Sequence, residues 1–202
     1  MGKWSSTTVT QTRARERNGV ESAGLSLPYD RSVFLVGMMG AGKTTVGRQL
    51  ARAVGREFVD LDHEIEARCG VKVSLIFEIE GEAGFRRRES QLIDEYTRHR
   101  NIVLATGGGA VIRPENRRCL RERGVVVYLR ASAGELYRRV AREHSRPLLQ
   151  TDDPRARIVS LLAARGPLYD EVAHITFETG AVPASHTVRA LIPLLQCHKL
   201  SP

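Results

Sequence analysis

Val33-Phe34-Leu35-Val36-Gly37-Met38-Met39-Gly40-Ala41-Gly42-Lys43-Thr44-Thr45-Val46 carries an apolar run, a glycine-rich turn and the opening of a longer stretch that continues to Val54. The inner eight residues, Gly37 to Thr44, read G-x-x-x-x-G-K-T. That is the P-loop spacing, and it stands where such a loop must stand, between a strand and a helix. The glycines let backbone N–H groups turn inward around phosphate oxygens, and the helix N-terminus adds partial positive charge. Lys43 can then reach the terminal phosphates while the Thr44 hydroxyl ligates Mg²⁺. Gly40, Ala41, Gly42, Lys43, Thr44 and Thr45 are thus the expected set around a nucleotide's phosphates.

Outward from this loop, short apolar runs alternate with longer amphipathic ones. Val33–Val36, Phe58–Leu61, Ile102–Ala105, Val125–Leu129 and Ile175–Phe177 read as strands, rich in Val and Ile and without polar alternation. Thr44–Val54, Phe85–Arg98 and Pro154–Arg165 read as helices, the last opening on a first-turn proline. Such alternation predicts an α/β fold with a parallel sheet covered on both faces. Residues 1–30 lack this pattern. Ser and Thr dominate the first dozen, and Arg13, Arg15 and Arg17 follow, so a disordered arm is expected there. The arm has no apolar signal region, although its Ser, Thr and Arg content loosely fits a transit peptide and Met1-Gly2 with Ser6 fits a myristoylation pattern.

The P-loop serves many reactions, so the other motifs must discriminate. No N-K-x-D or D-x-x-G is present, and neither Ile102–Thr106 nor Val125–Arg130 ends in the aspartate of an ordinary Walker B strand. The carboxylates come instead from Phe58-Val59-Asp60-Leu61-Asp62. If these close the second strand, alternation puts Asp60 and Asp62 on one side, in the crevice at the strand's carboxyl end. One could help hold hydrated Mg²⁺ and the other accept a hydroxyl proton.

Three further clusters suit an anionic acceptor, and each has a plainer account. Thr106-Gly107-Gly108-Gly109-Ala110 allows backbone amides close to a ligand, or is an ordinary loop. Phe85-Arg86-Arg87-Arg88-Glu89 offers arginines near a helix start, or a surface pair between Arg86 and Glu82. Arg165-Gly166-Pro167-Leu168-Tyr169 places an arginine at a helix end, for binding or for C-terminal capping. Apart from these three, Arg138, Arg139, Arg142 and Arg146 lead into a proline-broken segment, either a lid that brings an arginine to the transferring phosphate or a solvated basic helix.

Composition narrows the classes. In 202 residues there are 31 Lys plus Arg against 23 Asp plus Glu, a formal charge of +8 at pH 7 that suits phosphorylated or carboxylated partners without choosing among them. Of these bases 27 are Arg and only 4 Lys, which favours planar two-point grips on carboxylate or phosphate. Apolar runs stop after about five or six residues, against about 18 to 20 for a membrane span. Cys69, Cys119 and Cys197 are odd in number and lack C-x-x-C spacing, so neither a disulfide framework nor a zinc ribbon is indicated and a reducing compartment is expected.

Taken in order, G-M-M-G-A-G-K-T-T-V-G, F-V-D-L-D-H-E-I-E, G-F-R-R-R-E, A-T-G-G-G-A-V, S-R-P-L-L and R-G-P-L-Y resemble shikimate kinase from about Arg31 to Thr179. The resemblance implies a P-loop NTPase three-layer fold of the nucleoside monophosphate kinase type, a five-stranded parallel sheet in the order 2-3-1-4-5, and a lid. It implies ATP-dependent phosphorylation of the 3-hydroxyl of shikimate in the chorismate pathway. Position by position, Asp62 would bind shikimate hydroxyls and act as the candidate base, with Lys43 and Arg146 completing the catalytic set. Asp60 would act on Mg²⁺ through water, beside Thr44. Arg86 and Arg165 would clamp the shikimate carboxylate, and Gly107, Gly108 and Gly109 would line the same pocket. Arg146 would close over the phosphates and Arg139 stack on adenine. The implied organisation is an extension over 1–30, a kinase domain over 31–196 with its lid at about 143–154, and a tail over 197–202. A cytoplasmic monomer acting on small molecules, without nucleic acid or membrane, is the matching expectation.

Two rivals make different predictions. A gluconate or nucleoside monophosphate kinase would share the P-loop and lid but not the combination of Asp62, Arg86 and Arg165. A ligand-sensing regulator with lost catalysis would carry a helix-turn-helix before the P-loop and erode Lys43 or Asp62. Thirty residues without apolar periodicity are too few for that motif, and both side chains are present.

Overall fold

The computed structural model describes residues 27, 28, 30–141 and 153–198. Arg146, nearly all of the expected lid and most of the expected N-terminal arm lie outside the described residues. The elements run β1 (Ser32–Val36), α1 (Lys43–Val54), β2 (Glu57–Asp60), α2 (Leu61–Cys69), α3 (Val73–Tyr96), β3 (Ile102–Ala105), α4 (Pro114–Arg123), β4 (Gly124–Arg130), α5 (Ala133–Val140), α6 (Pro154–Val172), β5 (Ile175–Glu178) and α7 (Ala184–Cys197).

The five strands form one sheet in the order β2-β3-β1-β4-β5, and every pairing is parallel. The central strands β1 and β3 are buried at every residue and β4 at all but Arg130, which is why their sequences are continuous Val and Leu runs. Edge strands differ. β5 alternates between half-buried and exposed, and only Val59 of β2 is fully buried, because an edge has neighbours on one side only. Two groups of helices flank the sheet: α1 packs with α7, while α4 packs against both α3 and α6. The core they enclose runs from Phe34 and Leu35 of β1 to Leu191 and Leu195 of α7. Complete burial of one such Leu or Phe side chain contributes about 1.5–3 kcal/mol.

Three sequence expectations change in detail. The second strand stops at Asp60, whose side chain accepts from the Asp62 and His63 amides and so starts α2 at Leu61. Asp62 therefore sits in the first turn of a helix, and strand alternation is not what places it. The helix expected from Phe85 begins at Val73 and is broken at Gly81, so Arg86 follows an internal kink rather than a helix start. Finally, α6 continues through Pro167 to Val172, which puts Arg165 inside the helix and removes the capping account.

No helix among the described residues is long and apolar enough to cross a membrane.

Candidate active site

The carboxyl ends of β1, β2 and β3 converge on the P-loop. Gly37, Gly40 and Gly42 all have positive φ, and Gly42 forms the N-cap from which α1 starts at Lys43. Lys43 is nearly buried and folds back over the loop, its Nζ donating to the Gly37 and Met38 carbonyls at 2.8 and 3.0 Å. Thr44 Oγ1 donates to Asp60 Oδ2 at 2.7 Å, bringing the hydroxyl at the head of α1 against the carboxylate at the end of β2. The end of β3 supplies no acid: Thr106 turns its hydroxyl to the Leu35 carbonyl at 3.0 Å. A sheet with its carboxylate on an edge strand is consistent with the missing Walker B aspartate.

A cavity of about 510 Å³ opens beside this loop, and its lining includes Thr44, Asp60, Asp62, Arg86, Gly107–Gly109 and Arg165. Two guanidinium groups dominate it. Arg86 is 6% exposed and pairs with Glu89 at 2.7 Å and with Glu82 at 3.0 Å. The surface pair expected from the spacing therefore exists, yet the arginine is inside. Burial disfavours the Arg86 charge, but Glu89 and Glu82 more than offset it and raise its pKa. Arg165 is 5% exposed and forms no ion pair among the described residues. Its Nη1 donates to the Gly108 carbonyl at 3.2 Å, which also accepts from the Tyr169 hydroxyl. Burial, with the nearby Arg86 charge, pushes the Arg165 guanidinium below its usual pKa. Two buried cations, of which one lacks a carboxylate partner among the described residues, have the chemistry to receive an anion.

The glycine run earns its place by close approach. A Cβ on Gly109 would lie 2.2 Å from Arg86 Nη2, and one on Gly107 would lie 2.6 Å from Glu89 Oε1 and 3.1 Å from Asp62 Oδ1. Any side chain there would displace the charged groups it faces.

A second cavity, also about 510 Å³, lies on the other side of the P-loop, lined by Ala41, Gly42, Thr45, Arg138, Arg139 and residues 179–182 among others. Arg139 crosses its floor, Nη2 donating to the Gly180 carbonyl at 2.6 Å and Nη1 to Gly40 and Ala41 carbonyls at 3.3 and 3.4 Å. Arg138 stays largely exposed and pairs with Glu135. Both arginines line this cavity, Arg139 held against the P-loop carbonyls and Arg138 at its exposed edge.

A family model described as shikimate kinase matches residues 39–196. A shikimate kinase of Bordetella avium (strain 197N) is 62% identical over 173 residues, covering 86% of this chain and 83% of its own length. The chain belongs to the shikimate kinase family. A shikimate kinase of Ralstonia nicotianae (strain ATCC BAA-1114 / GMI1000) is 58% identical, covering 82% of this chain and 87% of its own. Among solved structures, shikimate kinase from Acinetobacter baumannii in complex with shikimate is 47% identical with a TM-score of 0.82, covering 85% of this chain and 96% of its own.

For a chain of the shikimate kinase family, several neighbours of the expected residues matter that the motif reading left without a role. Glu89 is wholly buried, and burial raises its carboxyl above the usual range despite the opposing Arg86 charge. Its signal was present as a glutamate three residues after Arg86, one turn along the same face. Tyr169, stacked on Tyr128 with centroids 4.9 Å apart, and the tilted pair Phe77–Phe85 at 4.6 Å supply the apolar packing behind the charges. Residues 179–182 of the second cavity carry no motif by which a sequence could mark them. Gly40 and Lys43 belong to the loop between the cavities rather than to either lining.

Proposed function

We propose that the cavity holding Asp62, Arg86, Gly107–Gly109 and Arg165 binds shikimate, and that the cavity beyond the P-loop binds ATP, whose terminal phosphoryl group passes to the 3-hydroxyl. Membership of the shikimate kinase family supports the reaction. The observation that carries the site assignment is Arg165, a buried guanidinium without an ion pair among the described residues, aimed with Arg86 into a cavity that also holds Asp62. Shikimate brings one carboxylate for the two arginines and several hydroxyls for Asp62. Charge-assisted, two-point pairing is the strong form of hydrogen bond.

In this reading Asp62 orients the attacking hydroxyl and takes its proton. A strong base is not needed, because a loose phosphoryl transition state asks little of the nucleophile. Lys43 exchanges its loop carbonyls for phosphate oxygens and stabilises charge developing on them. Arg139 lies against adenine, while Arg146, outside the described residues, keeps its expected role toward the phosphates. Mg²⁺ fits the Thr44 and Asp60 pair: both donors are oxygens 2.7 Å apart, and this ion keeps several waters and takes only one or two protein ligands beside phosphate. When bound it neutralises phosphate charge. A cytoplasmic monomer without nucleic-acid or membrane partners completes the reading.

The test couples ADP release to an optical readout with MgATP, comparing shikimate, gluconate and nucleoside monophosphates. Saturable turnover with shikimate alone is expected. Silence with shikimate and turnover with another acceptor would overturn the pocket assignment while leaving the nucleotide site in place.

A further inference from the structure

One wall of the shikimate cavity is a helix broken in two. Within α3, Gly81 stands at φ 67° and ψ −179°, a region essentially reserved for glycine. Val73, Ser74 and Phe77 before the break and Phe85, Arg86 and Glu89 after it all line the cavity. The angle at Gly81 therefore sets the distance between the aromatic wall and the arginine that grips the acceptor.

Two contacts span the break. Phe77 meets Phe85 on the cavity side, centroids 4.6 Å apart. Away from the cavity lining, Arg88 Nε and Nη2 donate to Glu80 Oε2 and Oε1 at 3.1 and 2.6 Å. Residues eight apart in an unbroken helix are separated by about 12 Å along its axis, so this two-point grip depends on the bend. Gly84 leaves room for it, since a Cβ there would lie 2.3 Å from Glu80 Cβ.

We infer that the Glu80–Arg88 pair is a positioning strap for acceptor binding: it fixes the bend at Gly81 and so holds Phe77 and Arg86 at the spacing the acceptor requires. Neither residue lines the cavity, so the pair acts through others. The inference rests on the shikimate reading of that cavity. Because the Arg88 and Glu80 side chains are 44% and 31% exposed, the effect belongs to the range of half-exposed ion pairs, about three- to five-fold in affinity.

The experiment measures KM for shikimate and for ATP, with melting temperature, in Glu80→Ala, Arg88→Ala and the exchanged pair Glu80→Arg with Arg88→Glu. Each single variant should raise the shikimate KM about three- to five-fold with the ATP KM and melting temperature unchanged. The exchanged pair should return it to within about two-fold of the parent, because it restores the attraction with the charges reversed. Unchanged KM in the singles, equal rises in both KM values, or a folded exchanged pair without rescue would each overturn the strap. Should the exchanged pair not fold, ionic strength decides: the parent's advantage over Arg88→Ala must vanish at about 1 M salt, and its persistence overturns the inference. Arg165→Ala is the control. If it leaves the shikimate KM unmoved, the cavity reading fails; if it raises that KM while the strap variants do not, only the strap fails.

Discussion

Arg86 and Glu89, three residues apart on α3, form an ion pair of 2.7 Å in which the carboxylate is wholly buried. The pair faces Arg165 across the cavity, so Glu89 offsets one of two positive charges that must sit together before any ligand arrives. Among the described residues Glu89 Oε1 has no hydrogen-bond partner, which leaves the carboxylate committed to Arg86 through Oε2. Replacing Glu89 by Gln keeps the volume and removes the charge. Arg86 then retains only Glu82, which is half exposed. Because burial holds the Glu89 carboxyl above its usual range despite Arg86, the fold does not depend on that charge, and stability should change by about 1 kcal/mol or less. The shikimate KM should rise about ten-fold or more with a smaller change in kcat, because Arg86 is no longer held in place. Thermal unfolding and steady-state kinetics on the purified variant check both, and a KM within two-fold of the parent would remove Glu89 from the positioning of Arg86.

Gly109→Ala tests the same arginine from the opposite side. The added methyl would stand 2.2–2.4 Å from three guanidinium atoms, so the Arg86 head must move although its backbone need not. Gly109 is not among the residues with positive φ, and no backbone strain accompanies the change. The expected result is a shikimate KM close to that of Arg86→Ala, an ATP KM near the parent, and a circular dichroism spectrum unchanged. A parent-like shikimate KM would show that the guanidinium can yield without leaving the acceptor.

How much of this was open to a reader of the sequence depends on range. Gly37–Thr44 announced both the loop and the elements on either side, because its chemistry is local and its glycines have one purpose. The buried strands β1, β3 and β4 were legible as apolar runs for the same reason. Asp62 lines the cavity, but not by the strand alternation expected of it: Asp60 had two possible uses, ending a strand or capping a helix, and side-chain capping won. Arg165 looked like a helix end because Gly166-Pro167 normally stops a helix, yet the packing of Tyr169 and Val172 carries α6 past the proline. Residues such as Glu89 and Tyr169 take their roles from partners distant in sequence, and no spacing rule displays a contact between Tyr169 and the Gly108 carbonyl.

Lys43→Ala should separate chemistry from folding. The lysine donates to two P-loop carbonyls, so some loop bracing is lost, but the apolar core does not include it. Removing one preorganised positive donor from a transferring phosphoryl group costs about 10²–10³ in turnover. We expect kcat to drop at least about 100-fold, with the shikimate KM changed far less. Normal turnover in the variant would take Lys43 out of the mechanism.

The final prediction concerns pH and lies at the opposite end of the sheet. His174 lies just before β5, and its backbone donates to the Val126 carbonyl at 2.9 Å while Val126 N–H donates back to His174 Nδ1 at 3.0 Å. An imidazole that accepts at Nδ1 must be neutral with its proton on Nε2. Burial lowers the His174 pKa, and the charges of Arg121, His198 and Arg31 lower it further. With the folded value below the unfolded one of about 6.5, the unfolded chain takes up the proton first as pH falls. The contribution is therefore complete above about pH 6.5 and is lost as pH descends through the folded value. His174 is half buried, so solvent screening keeps the expected loss to the order of 1 kcal/mol or less. Denaturant unfolding at pH 7.5 and 5.5 should show the parent losing stability across that interval. His174→Asn places an oxygen acceptor near the Nδ1 position that cannot take up a proton, and its stability should change less over the same interval. A parallel decline in parent and variant would assign the proton uptake to another group.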